Sequence, residues 1–550
     1  MTLFHHFTIS PIMVTSNPFV VPLADVPVLA YPEFVNKIKE LTADERCHCV
    51  TYHAVPLGAV LKFFCCIASD HNHGLILLSH EQQATPPPSL ESLTLHHPSF
   101  HMYEREISEQ WGVQFEGHPW MKPVRSHFMD AGCGMQDAGC GMQDAGCGMQ
   151  DAGCGMQDAG CGMQDAGYRM QDLASCVPYP FYSIEGEGIH EVGVGPIHAG
   201  VIEPGYFRFC CKGEKVLHLE IQLGFQHKGI EKLFIVKRSG IQRAVLAESI
   251  AGDTAVGHSI AHVQLMEALA GIRPSETLQA ERIIALEMER IAVHIGDTAA
   301  LCTDIAYQFG QVVNEALRTI VINTTQSWCG NRFGKGLIRT GGSHYPLTRE
   351  LADLYLANLK EVEERYNQIT REIFTNPSVL SRFEGIGKVS AHQAGLIGAV
   401  GMAARSSGVK RDIRSSHPFQ AFSKINYEPV TLHQGDVWAR AMLRKLEVEK
   451  SLQLIRDLIR GTDFQNNHTA PQYDYTLPVS SFALSLAEGW RGEIMHSAVT
   501  DEEGNILHYK VKDPSFHNWM ALALAVRNQE ISDFPLCNKS YNLSYCGNDL

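Results

Sequence analysis

Over the first 128 residues the apolar positions change period several times, and each change marks an element. Phe34, Val35, Ile38 and Leu41 recur at helical spacing within Pro32–Leu41, which predicts a helix with one apolar face. Cys49–Val55 and Leu75–Ser79 read as strands, while Val60–Ile67 is apolar throughout and fits either state. The loop Thr85-Pro-Pro-Pro-Ser89 interrupts the pattern. After it, Phe100–Trp111 predicts a helix stopped by Gly112, with Glu104, Arg105 and Glu109 on one side. Taken alone, that charged side reads as a solvated face. The unit is small and α+β.

Residues 130–171 carry six copies of a seven-residue unit, five of them Asp-Ala-Gly-Cys-Gly-Met-Gln and the last Asp-Ala-Gly-Tyr-Arg-Met-Gln. Two glycines in each of the first five copies cost a helix about 2 kcal/mol per repeat, so a coiled coil is disfavoured and a flexible linker is expected. Beyond the repeat the pattern begins β-rich. Gly193–Phe209 holds too many turn formers for a simple strand and predicts a bent hairpin displaying His198, Glu203 and Arg208; Val216–Ile221 follows as a strand. From Ile241 helical periods dominate. Pro274 and a Ser275 cap open a mostly buried helix running to about Ile295, and Leu351–Phe374 and Asp436–Arg460 read as long amphipathic helices. These spans divide the chain into units 1–128, 129–172 and 173–550, the last a helical bundle flanked by small sheets.

Composition narrows the function classes. A net charge of −15 argues against a nucleic-acid partner, and no apolar run is long enough to span a bilayer. Met1–Val21 has no Lys or Arg ahead of an apolar stretch, so a signal peptide is not expected. Of the 16 cysteines, five lie in the repeat and none forms Cys-x-x-Cys, so no iron–sulfur or zinc site is expected in this chain.

Several motifs carry more information together than singly. Tyr103-Glu-Arg-Glu-Ile107 followed by Trp111-Gly-Val113 and Gly117-His-Pro119 closely resembles the signature of the C-type subunit of respiratory complex I, with Glu109 in place of Asp and Trp111 in place of Phe. From about residue 190 onward, the ordered set of Gly195–Phe209, His227-Lys-Gly-Ile-Glu-Lys232 and Ala251–Ser259 resembles the large subunits of membrane-bound hydrogenases of the formate-hydrogenlyase and hydrogenase-4 type. That family includes the D-type subunit of complex I. Ser407–Pro418, Glu488–Glu493, Asp513–Trp519 and Phe534–Lys539 extend the match. The resemblance implies fused C-type and D-type domains, with an N-terminal docking module that has no cofactor of its own.

The departures from that family matter equally. Its four nickel–iron thiolates fall at Ala251, Thr254, Ser544 and Gly547, where a methyl, two hydroxyls and a hydrogen replace soft sulfur. Hydrogen activation is therefore not expected, and a metal-ligand-less, hydrogenase-related branch fits the pattern. The His and Tyr that hold quinone in complex I also have no counterparts, falling near Ile202 or Glu203 and between Glu248 and Gly252. By resemblance the cavity residues are His198, Glu203, Asp253, His258, Asp412, Arg414, Arg491 and Glu493. Asp253 lies between two lost ligand positions, and Glu493 beside Arg491 is a candidate proton-relay carboxylate. The implied setting is the cytoplasmic side of a membrane. The implied partners are a small iron–sulfur (B-type) subunit, a ferredoxin-like subunit, and antiporter-like and H-type membrane subunits. The cluster would belong to the partner, and a quinone or another molecule would accept electrons.

Overall fold

The computed structural model describes residues 13–125, 179–198, 202–464 and 469–550; the repeat at 130–171 lies outside them. The N-terminal unit is built on an antiparallel sheet of order β1-β5-β4-β3, formed by Met13–Thr15 (β1), Cys47–Leu57 (β3), Val60–Ser69 (β4) and Gly74–Gln83 (β5). The ambiguous apolar run is thus the central strand β4, and buried sequence on both its faces is what concealed the strand period. Tyr31–Thr42 (α1) packs Phe34, Val35 and Ile38 against this sheet. His101–Trp111 (α2) ends at Gly112, whose φ of +70° is the left-handed stop.

The charged side of α2 is solvated only at Glu109, which is exposed; Glu104 and Arg105 are buried, as is Glu106. Glu104 accepts hydrogen bonds from the Ser92 hydroxyl, the Leu93 N–H and the Thr94 hydroxyl, each at 2.6 Å. Arg105 donates to the Lys122 and Pro123 carbonyls at 2.7 Å. Ser89–Glu91 (β6) and Gln114–Glu116 (β7) pair in parallel and close the unit.

Phe19–Pro22 (β2) leaves the N-terminal unit and adds an edge strand to the large unit, giving a sheet of order β13-β12-β11-β2. Its other strands are Ser481–Glu488 (β11), Glu493–Thr500 (β12) and Ile506–Lys512 (β13). A third sheet joins Ile189–Val194 (β8), Tyr206–Lys212 (β9) and Lys215–Gln222 (β10). Helices Ile230–Val236 (α3), Gly240–Ala247 (α4) and Ala255–Ala270 (α5) lead into the bundle. The bundle consists of Glu276–Asp304 (α6), Gln308–Cys329 (α7), Arg349–Ile373 (α8) and Val437–Gly461 (α9). Ser275 caps α6 through the Leu278 N–H, and Asp436 caps α9 through the Ala439 N–H. Ser515–Ala525 (α10), Phe534–Tyr541 (α11) and the short Tyr545–Asp549 (α12) finish the chain. Overall the fold is α+β. Among the described residues no helix is long and apolar enough to cross a membrane.

The facing sides of α6 and α9 are charged instead of apolar. Glu287, Arg290 and His294 on α6 meet Glu447 on α9, together with Arg405, Asp412, Arg414 and Glu488, and all are buried. Three guanidiniums therefore stand against four carboxylates. Burial and the neighbouring Asp412 push the Glu488 carboxyl up to about 7, which relieves the excess negative charge.

Candidate functional site

Both pairs of positions at which the resemblance would place thiolates lie at helix starts. Thr254 precedes α5, and Ser544 caps α12 by accepting from the Gly547 N–H at 2.9 Å. Between them stands the hairpin Glu488-Gly-Trp-Arg-Gly-Glu493 that joins β11 to β12. Its tight turn is closed by Gly489 and Gly492, which exchange N–H···O bonds. Gly492 must be glycine: its φ is +141°, and an added Cβ would lie 2.7 Å from the Gly401 Cα. The turn projects Arg491 onto Asp253. The guanidinium donates to both carboxylate oxygens at 2.7 Å, to the Asn542 carbonyl at 2.6 Å, and stacks 3.9 Å from the Trp490 ring centroid. Asp253 is the exposed partner, at 39% for its side chain against 3% for Arg491, so the pair opens outward through its carboxylate.

Glu203 joins from the β8–β9 connection by accepting from the Cys546 N–H at 3.3 Å. Burial raises its carboxyl above the ordinary range, the Cys546 N–H lowers it, and the charge of Asp253 adds to the rise. The Cys546 sulfur lies 3.5 Å from the Ser544 hydroxyl, and burial pushes its thiol up, away from thiolate character. Glu289 on α6 accepts from the Val256 and Gly257 N–H groups at the start of α5, and burial lifts it to about 8. The His227–Lys232 stretch anchors the chain end here: Lys228 and Gly229 donate backbone N–H groups to the Leu550 carbonyl.

Behind α12 a buried polar chain runs inward. Asp513 Oδ2 lies 3.1 Å from His258 Nε2, whose Nδ1 lies 3.1 Å from His496 Nε2. His496 Nδ1 meets the Tyr509 hydroxyl at 2.8 Å, and that hydroxyl meets His262 Nδ1 at 2.9 Å. Burial drives His496 well below the ordinary histidine range and His262 down to about 3. Asp513, which burial alone would raise, is held low by His258.

The donor set does not fit a nickel–iron centre. Ala251 offers a methyl. The Thr254 hydroxyl donates to Asp253 at 3.0 Å and accepts from Arg491 at 3.1 Å, and the Ser544 oxygen is taken by the α12 cap. At Gly547 an added Cβ would lie 2.6 Å from Asp513 Oδ2, so a cysteine there requires that carboxylate to move.

The structure thus brings Glu203, Asp253 and Arg491 to one site, with His258 behind it. It places the other four elsewhere. His198 is exposed in the β8–β9 connection, part of which (199–201) lies outside the described residues. Asp412 and Arg414 belong to the buried α6–α9 charge cluster, paired with each other at 2.7 Å, and are not a solvated patch. Glu493 is not paired with Arg491. It faces the other way, accepting from Lys512 at 2.5 Å and meeting His48 of the N-terminal unit at 2.7 Å. Strand alternation would put residues two apart on one face, but Arg491 lies in the Gly489–Gly492 turn, outside the strand that begins at Glu493, so that rule does not reach it. Asp513, His496, Tyr509 and His262 escaped sequence reasoning. His496 and Tyr509 meet diagonally across the β12–β13 register, in which His496 lies opposite Val511 and Ala498 opposite Tyr509.

Comparison with known proteins agrees with this architecture. A family described as "Respiratory-chain NADH dehydrogenase, 49 Kd subunit" matches residues 310–482, and "Respiratory-chain NADH dehydrogenase, 30 Kd subunit" matches residues 27–134. The chain is 30% identical over 348 residues to carbon monoxide-induced hydrogenase of Rhodospirillum rubrum, covering 63% of this chain and 95% of that protein. It is 27% identical over 365 residues to formate hydrogenlyase subunit 5 of Escherichia coli (strain K12), covering 65% of this chain and 62% of that protein. It is also 27% identical over 369 residues to a D-type subunit of the NADH-quinone oxidoreductase of Chloroherpeton thalassium, covering 62% of this chain and 83% of that protein. Among solved structures, a chain of the membrane-bound sulfane sulfur reductase, an archaeal respiratory membrane complex, shares the fold at a TM-score of 0.61 and 20% identity, covering 67% of this chain and 100% of that chain. The chain belongs to the family that unites the 49 kDa subunit of respiratory NADH dehydrogenase with the large subunits of membrane-bound hydrogenases, and it carries a 30 kDa-type domain fused ahead of it.

Proposed function

We propose that this chain is the large subunit of a membrane-associated, complex-I-like redox complex that works without a nickel–iron centre. It faces the cytoplasm and clamps a small iron–sulfur subunit. Electrons leave that partner's cluster for an acceptor, a quinone or another reducible molecule, seated against Asp253, Arg491 and Glu203. The observation that carries this reading is the Asp253–Arg491 pair, set between the four replaced ligand positions and open through its carboxylate. A guanidinium fixed by a carboxylate, a carbonyl and an indole stabilises negative charge developing on an acceptor without having to reorganise. Glu203, with its raised carboxyl, is placed to supply a proton. Ferredoxin-like, antiporter-like and H-type subunits complete the complex, and ion translocation is the coupled work.

One observation favours a second reading, in which the subunit only scaffolds the complex: Asp253, Asp412 and Glu493 are all held in ion pairs. Elemental analysis of the purified complex, combined with reduced methyl viologen as donor and decylubiquinone as acceptor, tests both. Iron without nickel, and turnover abolished by Asp253→Asn in an intact complex, are the expected results. One nickel per chain overturns the proposal, and unchanged turnover in Asp253→Asn leaves the scaffold.

A further inference from the structure

The four hydrogen bonds from Asp513 to His262 form a single unbranched file: carboxylate, imidazole, imidazole, phenol, imidazole. All five side chains are buried, and the file ends at His262 Nε2, a buried nitrogen with no hydrogen-bond partner among the described residues. The other end lies at the replaced metal site, where Asp513 borders Gly547. The groups packed around the inner end are the Phe234 ring and the guanidinium charges of Arg243 and Arg339. A packing role alone does not call for three imidazoles and a phenol aligned with one another.

The bond directions are assigned from partners and make a consistent set. Asp513 accepts, so His258 donates through Nε2. With His258 neutral, its Nδ1 accepts from His496 Nε2–H; His496 Nδ1 then accepts from the Tyr509 hydroxyl, whose oxygen accepts from His262 Nδ1–H. Every donor points toward Asp513, and His262 Nε2 is left as a bare lone pair. The reversed set also satisfies every bond, with His258 doubly protonated against Asp513 and His262 carrying its proton on Nε2. The two sets differ by one proton.

We infer that this file is a proton relay, which takes a proton from water at His262 Nε2 and delivers one to the His258–Asp513 pair beside the acceptor cavity. As the proton arrives, His262 passes its Nδ1 proton to Tyr509, Tyr509 its own to His496 Nδ1, and His496 its Nε2 proton to His258 Nδ1; His258 then releases its Nε2 proton to Asp513 Oδ2, which becomes a carboxylic acid hydrogen-bonded to a neutral imidazole. One proton enters, one is gained by the pair, and no electron moves in the relay. Its purpose rests on the redox reading proposed above; its operation does not.

The test uses the purified complex, poised electrochemically, with reduced-minus-oxidised infrared difference spectra recorded in H2O and D2O. Reduction of the partner's clusters is expected to raise a carboxylic C=O band that shifts in D2O and is missing in Asp513→Asn. Tyr509→Phe removes the bridging hydroxyl but keeps the ring that stacks 4.0 Å from Phe234. It is expected to slow the band's appearance by about 10²-fold. His262→Asn, which keeps a donor to Tyr509 but loses the ring, should do the same and serves if the first variant fails to assemble. Native kinetics in either assembled variant, or no Asp513 band in the native complex, overturns the relay. An Asp513 band that slows in Tyr509→Phe while decylubiquinone goes unreduced keeps the relay and removes the quinone.

Discussion

Glu493→Gln separates a structural carboxylate from a catalytic one. Glu493 is buried and holds two cations: Lys512 at 2.5 Å on its own sheet, and His48 at 2.7 Å on β3 of the N-terminal unit. His48 in turn lies 3.5 Å from Asp70, which lies 3.6 Å from Arg411 and 3.7 Å from His417. The substitution keeps the shape and removes the charge. Lys512, itself buried, then has no carboxylate among the described residues. Leaving one partner of a buried pair uncompensated costs about 3–5 kcal/mol. At about 1.4 kcal/mol per factor of ten, the contact between the two units should open roughly 10²- to 10⁴-fold more often.

Hydrogen exchange read by mass spectrometry on β3 and β12 measures that opening directly, without assuming two-state melting of a two-unit chain. Lys512→Met in the Glu493→Gln background should recover much of the loss, because a neutral pair no longer carries a stranded charge. The sign with pH is also fixed. Burial and Arg411 lower the His48 imidazolium, but Glu493 and Asp70 outweigh them, and its net shift is upward. Its contribution is therefore complete below about 6.5 and lost as pH rises through the higher folded value. Burial alone would raise Glu493, yet Lys512 and His48 hold it well below the carboxylate range, so its contribution is lost only in acid. If exchange in Glu493→Gln stays within a few-fold of native while turnover collapses, the clamp is refuted and the proton-relay role stands.

Three further predictions follow from the same reasoning. Gly547→Ala puts a methyl 2.6 Å from the Asp513 carboxylate and should lower stability by about 1–3 kcal/mol in thermal unfolding, whereas Gly252→Ala, with nothing within 4 Å, should not. Glu289→Gln should flatten the pH dependence of stability between about 4.5 and 8: a carboxyl raised to about 8 by burial makes the native protein weaker as pH climbs, and the variant lacks that slope. Glu104→Ala leaves the Ser92, Leu93 and Thr94 donors without their buried acceptor and should cost about 3 kcal/mol or more, visible as proteolysis of the N-terminal unit.

The architecture was largely legible in the chain because its long helices carry strong periods and clear caps. Ser275 and Asp436 both cap the helices that their positions announce. The α2 charges misled because a buried Glu104 and a solvated one have the same spacing, and only the Ser92–Thr94 turn beneath it tells them apart. At the site, Asp253 and Arg491 were readable from the motifs that hold them, but their pairing was not. Arg491 has Glu493 two residues away, and the turn geometry sends it instead to a carboxylate 238 positions distant. Of the inner polar file only His258, and the stretch that contains Asp513, had a local signal; His496, Tyr509 and His262 had none. Its members come from α5, β12, β13 and the turn after β13, and only the strand register brings them together.

The positions at which the resemblance would place four thiolates keep their backbone setting. Both pairs of positions lie at helix starts, where the Thr254 hydroxyl bonds to Asp253 and Arg491 and the Ser544 hydroxyl caps α12. Between these helix starts Arg491 is held by Asp253, Asn542 and Trp490. Asp513 then borders the space beside Gly547 and is tied to His258. A guanidinium does not change its charge with redox state, so it can steady an anionic acceptor but cannot itself take an electron. In the redox reading proposed above, proton supply at this position falls to carboxyl and imidazole groups: Glu203 on the outer side and the His258–Asp513 pair on the inner side.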